Sequence, residues 1–341
     1  MLRTRRTATV RCLSLTLQRH LLAATLATLA TIPGTLVAQE AASPPAEEAS
    51  CRRCLAGHRF LVSSVAPDPF VTTHFRSGLG GGFASGLEVP FRNLDGAVID
   101  TIGGGVGFVA LDFEYQYAAT SWLGLRGGTN IVARVGTSAR SLVASGAEAL
   151  SGLSLGATGR VWGGRTAQVS LTADVRRNQV YVLDPYSFVQ SVVDNGYTEA
   201  AQEVLLTTAS TNRYTGGVRA AWAPAPWLGL NGTFEAGSAD DPRPDEGNQS
   251  VTEIGASSEV DFGVLTSVPV GLTLGARNQT GSGRAGGLAG KATTYALGLF
   301  YTGRPHFLIG GESTWARVDF DQAEVTNVDA VQFRLVTRYD F

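Results

Sequence analysis

Counting back from Phe341 in steps of two gives Phe341, Tyr339, Thr337, Leu335, Phe333 and Val331; the residues between are Asp340, Arg338, Val336, Arg334 and Gln332. Successive side chains of a strand point to opposite faces, so this stretch predicts a strand with one apolar, aromatic face and one largely polar, charged face. The same alternation sets Val109, Leu111, Phe113, Tyr115 and Tyr117 against Ala110, Asp112, Glu114 and Gln116. A turn over 118–121 then leads into Leu123, Leu125, Gly127, Thr129 and Ile131, interleaved with Gly124, Arg126, Gly128 and Asn130. About ten such residues cross a bilayer when the strand is tilted.

The turn recurs. The run Tyr117-Ala-Ala-Thr-Ser-Trp122-Leu123-Gly124-Leu125 aligns without gaps on Trp222-Ala-Pro-Ala-Pro-Trp227-Leu228-Gly229-Leu230, with weaker echoes around Pro269, Pro305 and Trp162. Five short turns of one style predict five hairpins built alike. The connections between the hairpins are longer, over 139–150, 183–212, 239–250, 281–290 and 321–328. With a first strand over 80–91, a reversal near Asp95-Gly96 and the C-terminal strand, the chain predicts an all-β fold. It is a single transmembrane antiparallel up-and-down β-barrel of about twelve strands. Aromatics provide an independent check: Trp122, Trp162, Trp222, Trp227, Tyr117, Tyr301, Phe307, Tyr339 and Phe341 fall beside the short turns or at the chain end, as an interfacial girdle requires. A soluble sandwich would bury its apolar face and has no reason to gather tryptophans at one end.

A terminal aromatic closing such a strand resembles the C-terminal signature of bacterial outer-membrane β-barrels. The resemblance is architectural and points to no subfamily. It implies that Phe341 is an assembly signal met by the barrel-assembly machinery, and that the surroundings are outer-membrane lipid and lipopolysaccharide of a Gram-negative cell. The short turns are then periplasmic and the long loops external.

Residues 1–38 begin with arginines, continue through an apolar run from Leu21 and end in small residues at Leu36-Val37-Ala38, the layout of a cleaved signal peptide. Residues 39–69 read as a periplasmic linker, and 70–341 as the barrel. No stretch reaches the roughly 18 apolar residues of a membrane-spanning helix, so any crossing is made by strands. Five of the 27 basic residues, Arg3, Arg5, Arg6, Arg11 and Arg19, lie in the leader; 22 remain against 29 acidic residues, a formal charge of −7. That balance disfavours nucleic-acid binding, which needs a basic surface. In an exported chain Cys51 and Cys54 are expected to pair as a disulfide outside the membrane. A metal half-site with His58 lacks a full ligand set, and Leu55 stands where covalent haem attachment needs a histidine. No metal and no cofactor are expected.

The glycine-rich runs carry no nucleotide signature: Ala285 replaces the first glycine of a P-loop around Lys291, and Ala292 replaces its hydroxyl residue. His58, His74 and His306 all fall near the periplasmic side, away from where an outer-leaflet hydrolase would work, so no catalytic residue is assigned and the chain is not read as an enzyme. The acidic run Asp240-Asp241-Pro-Arg-Pro-Asp245-Glu246 lacks EF-hand spacing. The informative charges face inward. The register places Asp112, Glu114, Asp174, Glu235, Glu259, Asp261, Glu312 and Asp340 in the lumen with Arg126, Arg134, Arg160, Arg176, Arg219, Arg277, Arg334 and Arg338. These residues either close the lumen with salt bridges or line a narrow mixed-charge pore. The expected function is a passive or weakly selective channel for small solutes. The alternative is a non-conducting barrel with a structural or surface-interaction role through its external loops. Within 184–212, Asp184 as N-cap, Pro185, the stripe Phe188, Val189, Val192 and Val193, and Gly196 predict one short helix. A second is predicted over 199–206. The segment would either fold over or into the external mouth and narrow it, or stand as a mobile external excursion.

Overall fold

In the computed structural model the described residues are 52–92, 98–138, 147–183, 206–240, 248–281, 290–320 and 327–341, the side chains of 87–92, 98–103, 206, 207 and 320 excepted. The leader 1–38, Cys51, the reversal at Asp95-Gly96, the acidic run 241–246 and the first expected helix lie outside them.

Two short strands, β1 (Cys54–Leu55) and β2 (His58–Arg59), form a small hairpin. Twelve long strands follow. These are β3 (His74–Arg92), β4 (Val98–Ala118), β5 (Leu123–Gly136), β6 (Ala147–Gly163), β7 (Ala167–Leu183), β8 (Leu206–Ala225), β9 (Leu228–Ala239), β10 (Gln249–Asp261), β11 (Val270–Thr280), β12 (Gly290–Arg304), β13 (Phe307–Phe320) and β14 (Val328–Asp340). Each pairs antiparallel with its sequence neighbours, and β14 returns to β3 over Asp329↔Ser85 to Asp340↔His74, closing the barrel. Closure leaves no unpaired strand edge, the condition that lets a sheet cross hydrocarbon. A five-residue helix, α1 (Phe262–Thr266), occupies the β10–β11 connection, capped by Asp261.

The expected twelve alternating strands are present, with three local differences. The first barrel strand begins at His74 rather than residue 80, because His74, Arg76 and Gly78 already pair with Gln116, Glu114 and Asp112 of β4. A loop was expected to run on to residue 212, but β8 starts at Leu206 and pairs Leu206 to Asn212 with the end of β7; the second expected helix, over 199–206, lies outside the described residues but for Leu206. The seven residues of that ladder satisfy backbone groups that a loop would leave to water. The β10–β11 connection, expected as a plain short turn, carries α1.

The two barrel faces are opposite in chemistry. Leu79, Val109, Phe113, Leu125, Ile131, Leu153, Leu155, Ile254, Leu274, Leu299, Phe333 and Leu335 are all exposed on the outside. A soluble barrel would bury such a face; this surface is built for lipid. Trp122, Trp162, Trp227, Tyr117, Tyr301, Tyr339 and Phe341 ring the short-turn end of that face, the level at which amphipathic rings sit.

The largest departure from the sequence reading concerns residues 52–69, expected as a linker outside the barrel. They lie inside it. His58, Phe60, Leu61, Val65 and Ala66 are at most 1% exposed. Leu55, Phe60 and Phe70 cluster with Ala221 and Ala223 of β8, while Leu61 and Val62 cluster with Phe300, Leu308 and Val336 of β12, β13 and β14. Apolar side chains too few to bury one another within so short a segment complete their burial on the wall, and that burial drives the insertion.

Candidate functional site: the charged bore

The inserted segment, residues 53–73, is held by the wall on nearly every side. Gln116 of β4 donates to the carbonyls of Phe70 and Thr72 at 2.9 and 3.0 Å. Gln168 and Ser170 of β7 both donate to Pro69 O, at 2.8 and 2.6 Å. Glu259 of β10 accepts from Leu61 N at 2.5 Å, and Glu312 of β13 accepts from Ser64 N at 2.9 Å. Arg59 donates to the carbonyls of Thr302, Arg304 and Phe307 at the β12–β13 turn. Inward-facing glycines make room: a side chain at Gly255 would strike the carbonyl oxygen of Val65, and one at Gly271 would meet Leu61 Cδ1 at 2.6 Å. The bore at its short-turn end is therefore filled by the chain's own N-terminal segment.

One ionic cluster locks the insertion. Asp68 Oδ2 accepts from Arg53 Nη2 at 2.6 Å and from Arg338 Nη1 at 3.2 Å, and Arg338 also pairs with Asp340 at 3.0 Å. Burial opposes ionisation of Asp68, yet the two guanidiniums beside it outweigh that and hold its carboxyl well below the usual carboxylate range. Arg53 loses hydration on burial, but the carboxylates of Asp68, Asp340 and Glu259 more than compensate and keep it charged. For Arg59, burial, reinforced by repulsion from Arg53, outweighs the attraction of Asp340 and Asp261 and lowers it to about 10.

Beyond the plug, charges pair across the wall. Arg126 meets Asp174 at 2.6 Å, Arg219 meets Glu235 at 2.9 Å and Asp174 at 3.9 Å, and Arg334 bridges Glu312 at 2.7 Å and Asp112 at 3.3 Å. Arg213 and Arg277 converge on Glu253 at 3.2 and 3.4 Å. His74 and Arg76 share Glu114 at 3.3 and 3.4 Å. These groups enclose a cavity of about 200 Å³ between the plug and the wall.

The residues assigned inward by the sequence register thus separate by neighbourhood. Glu114, Arg126, Asp174, Arg176, Arg219, Glu235, Arg277, Arg334 and Arg338 border the cavity, and Asp112 sits behind Arg334. Glu259, Glu312 and Asp340 serve the plug. Asp261 is drawn aside to cap α1, accepting from Gly263 N at 2.8 Å. Arg134 pairs with Glu148 at 3.2 Å, and Arg160 is exposed on β6 beside the short turn to β7. Sequence reasoning passed over Arg76, Arg213, Glu253 and the plug's Arg53 and Asp68. Arg213 carried a usable signal, because Thr211, Arg213, Thr215, Gly217 and Arg219 alternate with the outward set, but it lay next to a segment read as loop. Cys54 is disulfide-bonded; Cys51 lies outside the described residues. His58, weighed as a metal ligand, is fully buried against Phe60 and Pro226 O. His306 is exposed at the β13 turn.

No protein-family model and no curated protein sequence matches the chain. Three solved structures with similar backbones are remote in sequence. The β domain of the Bordetella autotransporter BrkA is 10% identical, with 79% of this chain and 100% of that one covered and a TM-score of 0.46. An outer-membrane channel from Pseudomonas putida F1 is 11% identical over 83% and 100%, with a TM-score of 0.47. The NanC porin is 9% identical over 78% and 100%, with a TM-score of 0.45. The barrel described above is defined by its own hydrogen bonding.

Proposed function

We propose that the chain is a bacterial outer-membrane channel for small solutes, held shut in the described state by its N-terminal segment. The observation that carries this reading is the pairing of an apolar outer belt with a bore lined by ionised groups around a cavity. A barrel needed only as an anchor gains nothing from charges that must be desolvated in its interior. Lipid and lipopolysaccharide surround the belt, the short turns face the periplasm, and the barrel-assembly machinery inserts the chain. No enzymatic step is assigned. Because residues 53–73 fill one end of the bore, passage requires this segment to move.

A second reading has an observation of its own. The plug is bonded to so many strands that it also fits a permanent filling, which would make the protein a non-conducting barrel acting through its external loops. Single-channel recording in a planar bilayer separates the two. The intact protein is expected to give rare openings, and a variant lacking residues 53–70 is expected to give long-lived, larger ones. Silence from both forms, each shown to be folded by its heat-dependent gel mobility, rejects the channel.

A further inference from the structure

The cavity is unevenly charged. Eight arginines border it, against the carboxylates of Asp68, Glu114, Asp174, Glu235 and Glu253. The imbalance concentrates where β7, β8, β10 and β11 face inward. Arg176 and Arg213 are direct cross-strand partners, an arrangement in which like charges repel. Arg213 and Arg277 already share the single carboxylate of Glu253. Three guanidiniums therefore lie around Glu253, with Asp174 the other carboxylate that acts on Arg176, and among the described residues no carboxylate forms an ion pair with Arg176. Two further arginines that line the cavity, Arg219, a residue only 5% exposed, and Arg76, each have a buried Nε with no hydrogen-bond partner among the described residues. Orphaned buried donors of charged groups are costly, and a guanidinium fork is matched in geometry by the paired oxygens of a carboxylate or phosphate.

We infer that this cavity is a binding site for a small oxyanion, a carboxylate or phosphate, seated on Arg176, Arg213 and Arg277. The solutes of the channel are then small anions. This rests on the bore being a solute path and deepens that reading. The volume sets the size class, since about 200 Å³ is below the roughly 300–1,000 Å³ of drug-sized ligand sites. One phosphate or one short dicarboxylate fits that volume.

The test uses the full-length barrel in lipid nanodiscs, titrated calorimetrically with inorganic phosphate and, in a separate arm, with succinate. Binding is expected in at least one arm, and the arm that binds names the anion class. Arg176→Ala is expected to weaken it at least tenfold without lowering assembly, because no carboxylate loses its partner. Arg176→Glu places a carboxylate opposite Arg213. It is expected to abolish binding while unfolding no more easily than the native barrel, a combination that damage to the fold would not produce. In parallel, the reversal potential across a potassium chloride gradient should favour chloride and shift toward potassium in Arg176→Glu. Failure to bind either anion, or equal binding by native protein and Arg176→Glu, overturns the anion site whether or not the barrel conducts. Binding that depends on Arg176 in a barrel that never conducts upholds the site and rejects the channel instead.

Discussion

Replacing Asp68 by Asn tests what holds the plug in place. Among the described residues Asp68 is the only carboxylate in an ion pair with Arg53, and it shares Arg338 with Asp340. Arg53 and Arg338 are 2% and 4% exposed on their side chains, so neither can turn to water when the charge of Asp68 is removed. Removing one member of a buried ion pair typically costs ~3–5 kcal/mol, mostly the penalty of the charge left behind. Here the lower end applies, because Arg53 keeps Leu61 O at 2.8 Å and Arg338 keeps Asp340. A loss of about 3 kcal/mol corresponds to roughly a hundredfold rise in the population with the plug released, at 1.36 kcal/mol per factor of ten. A Ser63→Cys reporter reads this directly, since Ser63 lies within the plug and is 4% exposed. Maleimide labelling should be slow in the native background and about a hundredfold faster with Asp68→Asn. The pH dependence has a definite sign. The carboxyl of Asp68 is held below its free value of about 3.9, so its contribution to docking is complete above that value and is lost as pH falls through the lowered one. The gap between the two labelling rates should narrow on acidification below about pH 4. Equal rates at pH 7, or a gap that widens in acid, would refute the role given to this cluster.

Other substitutions probe the insertion and the barrel separately. Gly255→Val should release the plug as Asp68→Asn does, because its side chain would overlap the carbonyl oxygen of Val65; the Ser63→Cys reporter should then label at least tenfold faster, while a reporter on the outer belt should not change. Deleting Phe341 removes a ring packed against Tyr339 and Tyr115 and the bond from its amide to Thr73 O at 2.9 Å, so it should lower the yield of heat-modifiable barrel on a gel without altering strand content of what does assemble. Replacing both Cys51 and Cys54 by Ser should leave the barrel intact and cost at most about 2 kcal/mol in plug docking, since so short a loop gains little from closure; loss of the barrel by circular dichroism would contradict that.

The alternation of apolar and polar positions determined a great deal by itself. Because a strand's side chains alternate strictly between faces, the step from Phe113 to Glu114 or from Leu335 to Arg334 dictates which side chain meets lipid and which meets the bore. The even spacing of turns then dictates strand number and closure. What alternation cannot reach is which inward charges become neighbours. Arg176 faces Arg213 only because β7 and β8 pair in one register, and Arg277 joins them only because the sheet curves round through β10 and β11. The plug was the least legible part. Residues 52–69 have no period of two or of 3.6, and their prolines and mixed polarity read as linker. Their apolar side chains are buried by a cavity that does not exist until β14 has closed on β3, so only the assembled tertiary structure decides that this stretch lies within the barrel.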